Sequence, residues 1–183
     1  ALNESMAAGL VLLSNWNKKD HFYDIMCGSG TIAIEAALIA YNIPPGILRL
    51  TYAFQKLDDY DNKLWEAIIK EAKNNINFDN KVKINGSDLI KKNIDLAIKR
   101  IEKLDLNNKI QFDTKDFNNF IPTTDKGTII INPPYGDRIG EQFNLNKLYK
   151  DLGDKFKKDF SGHNVFVFTG NFSLIKQIGL RTK

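Results

Sequence analysis

The chain of 183 residues carries a formal net charge of +4, and 43% of its residues are hydrophobic. This length and composition predict one globular domain with a full α/β core, and the longest apolar runs fall short of the roughly eighteen residues of a membrane span. A single cysteine excludes an internal disulfide, and the two histidines lack the spacing of a zinc site. We therefore expect a cytoplasmic, metal-free protein whose pI near 9.0 is compatible with a polyanionic partner.

Helices and strands are predicted to alternate along the chain. A helix over residues 4–14 precedes a strand over 21–26 and a helix over 31–41, after which Pro44-Pro45-Gly46 interrupts the pattern. The later predicted elements are helix 61–77, strand 82–86, helix 91–104, strand 109–113, strand 128–131, helix 145–158 and strand 164–169. This alternation indicates an α/β fold with a doubly wound, mostly parallel sheet and right-handed crossovers.

A glycine turn joins the first strand to the second helix. Gly28 and Gly30 permit a sharp turn close to a ligand, while Ser29 and Thr31 offer donors at the positive end of the helix dipole. The turn lacks the motifs of a dinucleotide site and of a P-loop, so it suits a different nucleotide-like ligand, or is an ordinary strand-to-helix turn. Cys27 has no neighbouring histidine, which favours a small packed residue over a nucleophile.

The segment Asn132-Pro133-Pro134-Tyr135 directly follows the apolar run 128–131. This position predicts a turn at the carboxyl end of a buried strand, where open parallel sheets bind ligands. The prolines stiffen the turn and leave its carbonyls free, Asn132 adds an amide oxygen, and Tyr135 adds a flat ring. Acceptors beside an aromatic face suit the exocyclic amine of an extruded base. Two prolines alone would also fit a strand-terminating turn with a buried tyrosine.

Basic residues cluster on two predicted helices. They are Lys91, Lys92, Lys99, Arg100 and Lys103 on one helix and Lys155, Lys157 and Lys158 on another. Acidic residues are interspersed, so we expect solvated helix faces rather than a phosphate-binding stripe. Arg138, beside the Asn-Pro-Pro-Tyr turn, is the basic residue that we expect nearest a phosphate.

These motifs together carry a family resemblance. The segments are Asp24-x-x-Cys27-Gly28-Ser29-Gly30-Thr31, Gly86-Ser87-Asp88 and Asn132-Pro133-Pro134-Tyr135. They resemble the class I S-adenosylmethionine-dependent methyltransferases. More narrowly, the chain is similar over nearly its whole length to the RNA methylases long labelled predicted N6-adenine-specific DNA methylases, a family that includes the 23S ribosomal RNA guanine-N2 methyltransferases. The Asn-Pro-Pro-Tyr motif itself is shared with DNA adenine and glutamine methyltransferases.

The resemblance implies a Rossmann-like sheet of strand order 3-2-1-4-5 and a bound S-adenosylmethionine. The residues implied for the cofactor are Asp24, Met26, Cys27, Gly28, Ser29, Gly30 and Thr31 for the methionine moiety, Asp88 for the ribose, and Asp116 with Phe117 for the adenine. Asn132 and the Pro133 carbonyl would accept from the amine, and Tyr135 would stack on the base, so that catalysis rests on positioning. A helix N-cap for Asp88 and a surface carboxylate for Asp116 are the alternatives.

Two features depart from the usual class I pattern. Asp88 follows Asp24 by 64 residues, whereas a compact βαβ unit has roughly twenty; the excess is an insertion from about Tyr41 to Asn80, which the resembling family also carries. The chain also shows five clear strands, fewer than the class usually has, and position 1 is not Met. We expect an excised catalytic domain, without the last β-hairpin and without an N-terminal RNA-binding THUMP domain.

Three functions are consistent with these residues. The favoured one is methyl transfer from S-adenosylmethionine to a guanine N2 amine of 23S ribosomal RNA. Adenine-N6 methylation of DNA or RNA would use the same acceptors. A catalytically silent, cofactor-binding RNA-binding module is the third, and the intact Asn-Pro-Pro-Tyr segment argues against it.

Overall fold

The computed structural model describes residues 2–136 and 145–181. Within them, five strands form one sheet: β1 His21–Asp24, β2 Ile84–Asp88, β3 Ile110–Thr114, β4 Gly127–Ile131 and β5 Asn164–Val167. The α-helices are α1 Glu4–Leu13, α2 Thr31–Ala40, α3 Asn62–Asn74, α4 Lys91–Lys103, α5 Leu145–Asp159 and α6 Phe172–Ile175. Short 3-10 turns lie at Ala53–Lys56, Phe117–Asn119 and Lys176–Ile178.

All neighbouring strands pair in parallel, in the order β3-β2-β1-β4-β5. The predicted fold class and strand order are therefore confirmed. Chain order reverses on the two sides of β1, because β2 lies on one side and β4 on the other. The carboxyl ends of β1 and β4 thus flank the position at which a doubly wound sheet binds its ligands.

Side chains of alternate residues pack two hydrophobic layers, one on each face of the sheet. Phe22 of β1 and Ile130 of β4 face the layer that contains much of α1 and α2. Tyr23, Ile129 and Ile131 face the opposite layer, which contains the apolar side of α5. Every residue of β4 is buried, which agrees with the continuous apolar run expected for a strand covered on both faces.

The predicted boundaries differ from the observed ones by a few residues. β1 ends at Asp24 instead of residue 26, because the chain there leaves the ladder and turns toward Gly28. β2 covers Ile84–Asp88 instead of 82–86, so that Asp88 is its last residue. The single turn α6 was not predicted. It is capped by the Asn171 side chain, which accepts from the backbone N–H groups of Ser173 and Leu174, and four residues show no helical period.

The insertion over residues 41–80 contributes no strand to the sheet. Its helix α3 begins at Asn62, because the Asp61 carboxylate accepts from the N–H groups of Lys63 and Leu64, and it is shorter than the predicted 61–77. None of the α3 residues is buried. An aromatic cluster packs against it, in which the Trp65 ring meets Tyr52 and Phe54 edge-on.

Most of the clustered basic residues are exposed, as predicted, but two are not. Lys155 is only 6% exposed, and its Nζ donates to the Asn118 carbonyl at 2.8 Å and pairs with Asp159 at 2.6 Å. The prediction of a solvated Lys155 is therefore wrong. Arg100 is half-buried and is bound to the glycine turn, as described below. In both cases a partner distant in sequence draws the side chain inward.

Candidate active site

The predicted site residues follow strand ends at one edge of the sheet. Tyr23 of β1 is level with Ile129 of β4, so Met26 and Asn132 each lie three residues beyond a matched pair. Asp24 is level with Gly86 of β2, which places Asp88 two residues further toward the same edge. The structure thus brings the glycine turn, Asp88 and the Asn-Pro-Pro-Tyr segment to the same edge of the sheet, at the carboxyl ends of its strands.

The glycine turn has the backbone conformation that its sequence predicts. Gly28 and Gly30 have φ angles of 54° and 77°, in the left-handed region that glycine adopts without strain. A Cβ at Gly28 would meet nothing within 4 Å, whereas a Cβ at Gly30 would lie 2.6 Å from the Phe112 ring. Gly30 is also the N-cap residue of α2 and supplies no side chain to its first N–H groups. The first N–H groups of α2 therefore have no side-chain cap from Gly30, and open space lies next to Gly28.

Asp24 is a buried carboxyl group without a hydrogen-bond partner among the described residues. The side chain is 1% exposed, and neither carboxyl oxygen makes a hydrogen bond within this part of the chain. Burial raises its pKa to about 8; the backbone N–H of Met26, nearby but outside hydrogen-bonding geometry, opposes this rise, and the nearby charge of Asp88 adds to it. A buried carboxyl of this kind is stabilised by a cationic or hydrogen-donating ligand.

Cys27 is packed within the turn and is not activated. It is 8% exposed, and burial, together with the charges of Asp24 and Asp88, raises the pKa of its thiol. A nucleophilic cysteine requires the opposite shift. The backbone N–H of Cys27 donates to the Ser87 carbonyl at 2.9 Å, so this residue attaches the turn to β2.

Asp88 makes three hydrogen bonds in this conformation. One oxygen, Oδ2, accepts from the Gly28 N–H at 2.9 Å, and the other, Oδ1, accepts from the Ile90 N–H at 2.9 Å and from Asn93 at 3.0 Å. The N-cap residue of α4 is Ile90, so Asp88 is not the N-cap but supports the approach to that helix. Its carboxylate is half-buried and joins the ends of β1 and β2.

Asp116 and Phe117 lie in a short turn after β3. The Asp116 carboxylate accepts from the Asn118 N–H at 2.8 Å and caps the 3-10 turn. Phe117 is 9% exposed and packs into the core beside α5. Lys155 of α5 donates a hydrogen bond to the Asn118 carbonyl, so α5 holds this turn in place.

The segment after β4 presents an acceptor and a ring. The Oδ1 atom of Asn132 is buried and has no hydrogen-bond partner among the described residues. Pro133 is buried, whereas Tyr135 is 39% exposed. The alternative of a buried tyrosine is therefore wrong. Arg138, predicted to lie near a phosphate, falls outside the described residues.

Arg100 was missed by the sequence analysis as a site residue. Its Nη1 donates to the Ser29 carbonyl at 3.3 Å and to the Thr31 hydroxyl at 3.1 Å, and its Nη2 pairs with Glu4 at 2.9 Å. The Thr31 hydroxyl, expected to face a ligand, is engaged with this guanidinium. Burial and the Glu4 charge raise the pKa of nearby Glu35 to about 7, while Arg100 opposes the rise.

The described residues contain no group of three or more His, Cys, Asp or Glu side chains placed to hold a metal ion. None of the helices in this part of the chain has both the length and the apolar character needed to cross a membrane.

A parallel sheet of order 3-2-1-4-5, with a glycine turn after β1 and an acidic residue at the end of β2, defines a class I methyltransferase fold. More narrowly, the chain belongs to the UPF0020 family of RMKL-like methyltransferase domains, which matches residues 1–183. The resemblance found in the sequence is thereby confirmed.

Curated relatives agree with this assignment. The chain is 36% identical over 181 residues to slr0064 of Synechocystis sp., which is named as a candidate RNA methyltransferase; the match covers 99% of this chain and 47% of that protein. It is 35% identical over 184 residues to the ribosomal RNA large subunit methyltransferase K/L of Shewanella baltica, covering 98% of this chain and 26% of the relative. The chain therefore spans half or less of the length of these relatives.

A solved structure has the same fold. The crystal structure of SMU.472, described as a candidate methyltransferase complexed with S-adenosylhomocysteine, superposes with a TM-score of 0.87 at 31% identity. The match covers 96% of this chain and 46% of that one.

Proposed function

We propose that this chain is the catalytic domain of an RNA methyltransferase that transfers the methyl group of S-adenosylmethionine to an exocyclic base amine, namely guanine N2 of 23S ribosomal RNA. The observation that carries the proposal is the buried Oδ1 of Asn132 directly after β4, which has no hydrogen-bond partner within residues 2–136 and 145–181. Leaving a buried acceptor unsatisfied costs about 1–3 kcal/mol. An amine N–H of the target base would satisfy it.

The residues at the end of β1 fit the cofactor. Asp24 is a buried carboxyl without a partner among the described residues, and the methionine moiety of S-adenosylmethionine carries an ammonium group. The open face of Gly28 and the uncapped start of α2 leave room and N–H donors for its carboxylate. SMU.472, with its S-adenosylhomocysteine, supports the same cofactor for this chain.

The remaining cofactor contacts are proposed from their places at the sheet edge. Asp88 would accept from the ribose hydroxyls, because its carboxylate ends β2 and is only half-buried. Asp116 and Phe117 would border the adenine from the turn after β3. The ribose and adenine assignments come from the family resemblance and do not depend on the role of Asn132.

The mechanism rests on position and polarity. When bound, the cofactor supplies an electrophilic methyl group on a sulfonium. Asn132 Oδ1 and the Pro133 carbonyl would each accept a hydrogen bond from one of the two amine N–H groups. These hydrogen bonds would draw the nitrogen toward tetrahedral geometry and stabilise the positive charge that develops there. Tyr135 would hold the extruded base by stacking, a contact worth about 1–3 kcal/mol. The prolines keep the two acceptors in place.

The names of two relatives support the proposed substrate class. The K/L enzyme of Shewanella baltica is named for large-subunit ribosomal RNA, and slr0064 is named for RNA. These names support RNA, and ribosomal RNA in particular, as the partner of this chain. Two expectations stay predictions: that residues 41–80 are an insertion shared by the family, and that the longer protein has an N-terminal THUMP domain.

The test uses the full-length protein with methyl-labelled S-adenosylmethionine and 23S ribosomal RNA from cells deficient in its methylation. Digestion to nucleosides and chromatography identify the product. Labelled N2-methylguanosine would support the proposal. Labelled N6-methyladenosine would replace guanine by adenine as the target, and no labelled nucleoside from a folded, cofactor-binding protein would favour a silent RNA-binding module.

A further inference from the structure

The chain turns directly after β5, at Phe168, Thr169 and Gly170, and this corner lies beside the Asn-Pro-Pro-Tyr segment. The Phe168 N–H donates to the Ile131 carbonyl at 2.9 Å, so the chain is still paired with β4 one residue beyond Val167. Thr169 and Gly170 then follow at the level where β4 gives way to the active-site turn. The two segments leave the sheet side by side.

Gly170 makes room for the ring of Tyr135. A Cβ at Gly170 would lie 2.9 Å from Cε2 and 3.3 Å from Cδ2 of Tyr135, and real Cβ contacts are almost never shorter than about 3.0 Å. Gly170 is not among the glycines with a positive φ, so its backbone conformation does not require glycine. The requirement at this position is the space occupied by the tyrosine ring.

The corner that carries Gly170 is fixed by side chains around it. The Thr169 hydroxyl lies 2.9 Å from the hydroxyl of Tyr149, a fully buried residue of α5. The same Thr169 oxygen accepts from the Asn171 N–H at 3.2 Å. Asn171 in turn caps α6. Hydrogen bonds therefore hold the backbone around Gly170 in place. A side chain added there would displace the Tyr135 ring more readily than this backbone.

We propose that Gly170 is a positioning residue, which sets the orientation of the Tyr135 ring on which the target base stacks. This inference rests on the proposed function, because it gives Gly170 a role only if Tyr135 contacts the base. In this proposal Gly170 acts only through the Tyr135 ring. A larger residue at this position turns the ring and misplaces the base relative to the methyl group.

The test compares Gly170→Ala, Tyr135→Ala, the double variant of these two, and Asn132→Ala in the full-length protein, with ribosomal RNA as substrate. We expect Gly170→Ala to lower the single-turnover rate of methyl transfer by about tenfold, since small misplacements of a reacting group are costly. Cofactor affinity and melting temperature should stay close to wild type. In the Tyr135→Ala background, adding Gly170→Ala should cause no further loss. Gly9→Ala in α1 is the matched control, because its Cβ would meet nothing within 4 Å.

The outcomes separate this inference from the proposed function. If Tyr135→Ala is impaired but Gly170→Ala transfers at the wild-type rate, Gly170 has no positioning role and the proposed function stands. If the losses of the two single variants multiply in the double variant, Gly170 acts independently of the ring and the inference is overturned. If neither Tyr135→Ala nor Asn132→Ala is impaired, the proposed function fails and this inference fails with it.

Discussion

Asp88 holds the glycine turn of the proposed cofactor site through one hydrogen bond: its Oδ2 accepts from the backbone N–H of Gly28 at 2.9 Å. The end of β2 thereby fixes the segment that follows β1. The same carboxylate is the proposed acceptor for the ribose hydroxyls. Loss of Asp88 should therefore affect both the shape of the site and a direct contact.

The first prediction concerns this carboxylate. Asp88→Ala should weaken the binding of S-adenosylhomocysteine about tenfold or more, since hydrogen bonds to a charged group contribute about 1.5–3 kcal/mol. Isothermal titration calorimetry measures the change. Asp95→Ala is the control, because Asp95 makes an exposed ion pair with Lys91 on α4, and such a pair contributes little. Equal affinity for wild type and Asp88→Ala would remove Asp88 from the cofactor site.

The second prediction concerns stability and pH. Folding raises the pKa of Asp24 from 3.8 to about 8, so the native state binds this proton more tightly than the unfolded state. Its contribution to stability is fully present below pH 3.8, falls as the pH rises, and is lost above about pH 8. The slope is at most about 1.4 kcal/mol per pH unit. Asp24→Asn should remove it.

Urea denaturation of the cofactor-free protein between about pH 5 and pH 8 tests this expectation. Burial lowers the pKa of His21 and His163, which changes stability in the opposite direction. These histidines are common to both proteins, so the difference between wild type and Asp24→Asn isolates Asp24. A difference that does not vary with pH would show that Asp24 is ionised throughout this range.

The third prediction concerns Arg100, which joins α4 to the glycine turn and to Glu4. Arg100→Gln should weaken cofactor binding several-fold, because the Ser29 carbonyl and the Thr31 hydroxyl lose their donor. Lys99→Gln removes a neighbouring exposed charge and is the control for net charge. Binding is again measured by calorimetry. If both variants weaken binding equally, the effect is one of overall charge, and the guanidinium contacts are dispensable.

The fourth prediction concerns the ring of Tyr135. Tyr135→Phe should retain most methyl transfer and Tyr135→Ala should lose most of it, because stacking requires the ring face and contributes about 1–3 kcal/mol per base. The side chain is 39% exposed, so truncation should destabilise the fold by less than the roughly 3–5 kcal/mol of a core aromatic. Thermal denaturation and transfer rates come from the same preparations. A destabilised but fully active Ala variant would exclude stacking.

The sequence predicts much of this site because its signals are local. A β-branched run bounded by Gly127 and Pro133 marks a buried strand and places Asn132 at its carboxyl end. The turn at Gly28 and Gly30 is equally local, since both residues require φ angles that glycine adopts readily. The strand order, in contrast, came from the family resemblance. Periodicity identifies strands but does not determine which strands pair.

The residues that sequence reasoning misplaced depend on contacts between distant segments. Helical periodicity placed Arg100 and Lys155 among other basic residues on solvated faces. Their partners Ser29 and Asn118 lie 71 and 37 residues away, and no local pattern indicates either pairing. Gly170 was missed for the same reason, because the ring next to it belongs to Tyr135, in the segment that follows β4.

The central claim is that Asn132 accepts a hydrogen bond from the target amine in the transition state. The most direct measurement is the single-turnover rate of methyl transfer by Asn132→Ala, with saturating ribosomal RNA and cofactor, beside Asn146→Ala, which removes an exposed amide on α5. We predict a loss of about a hundredfold or more for Asn132→Ala, with cofactor affinity within a few-fold of wild type and no loss for Asn146→Ala. An unchanged transfer rate for Asn132→Ala would contradict the account.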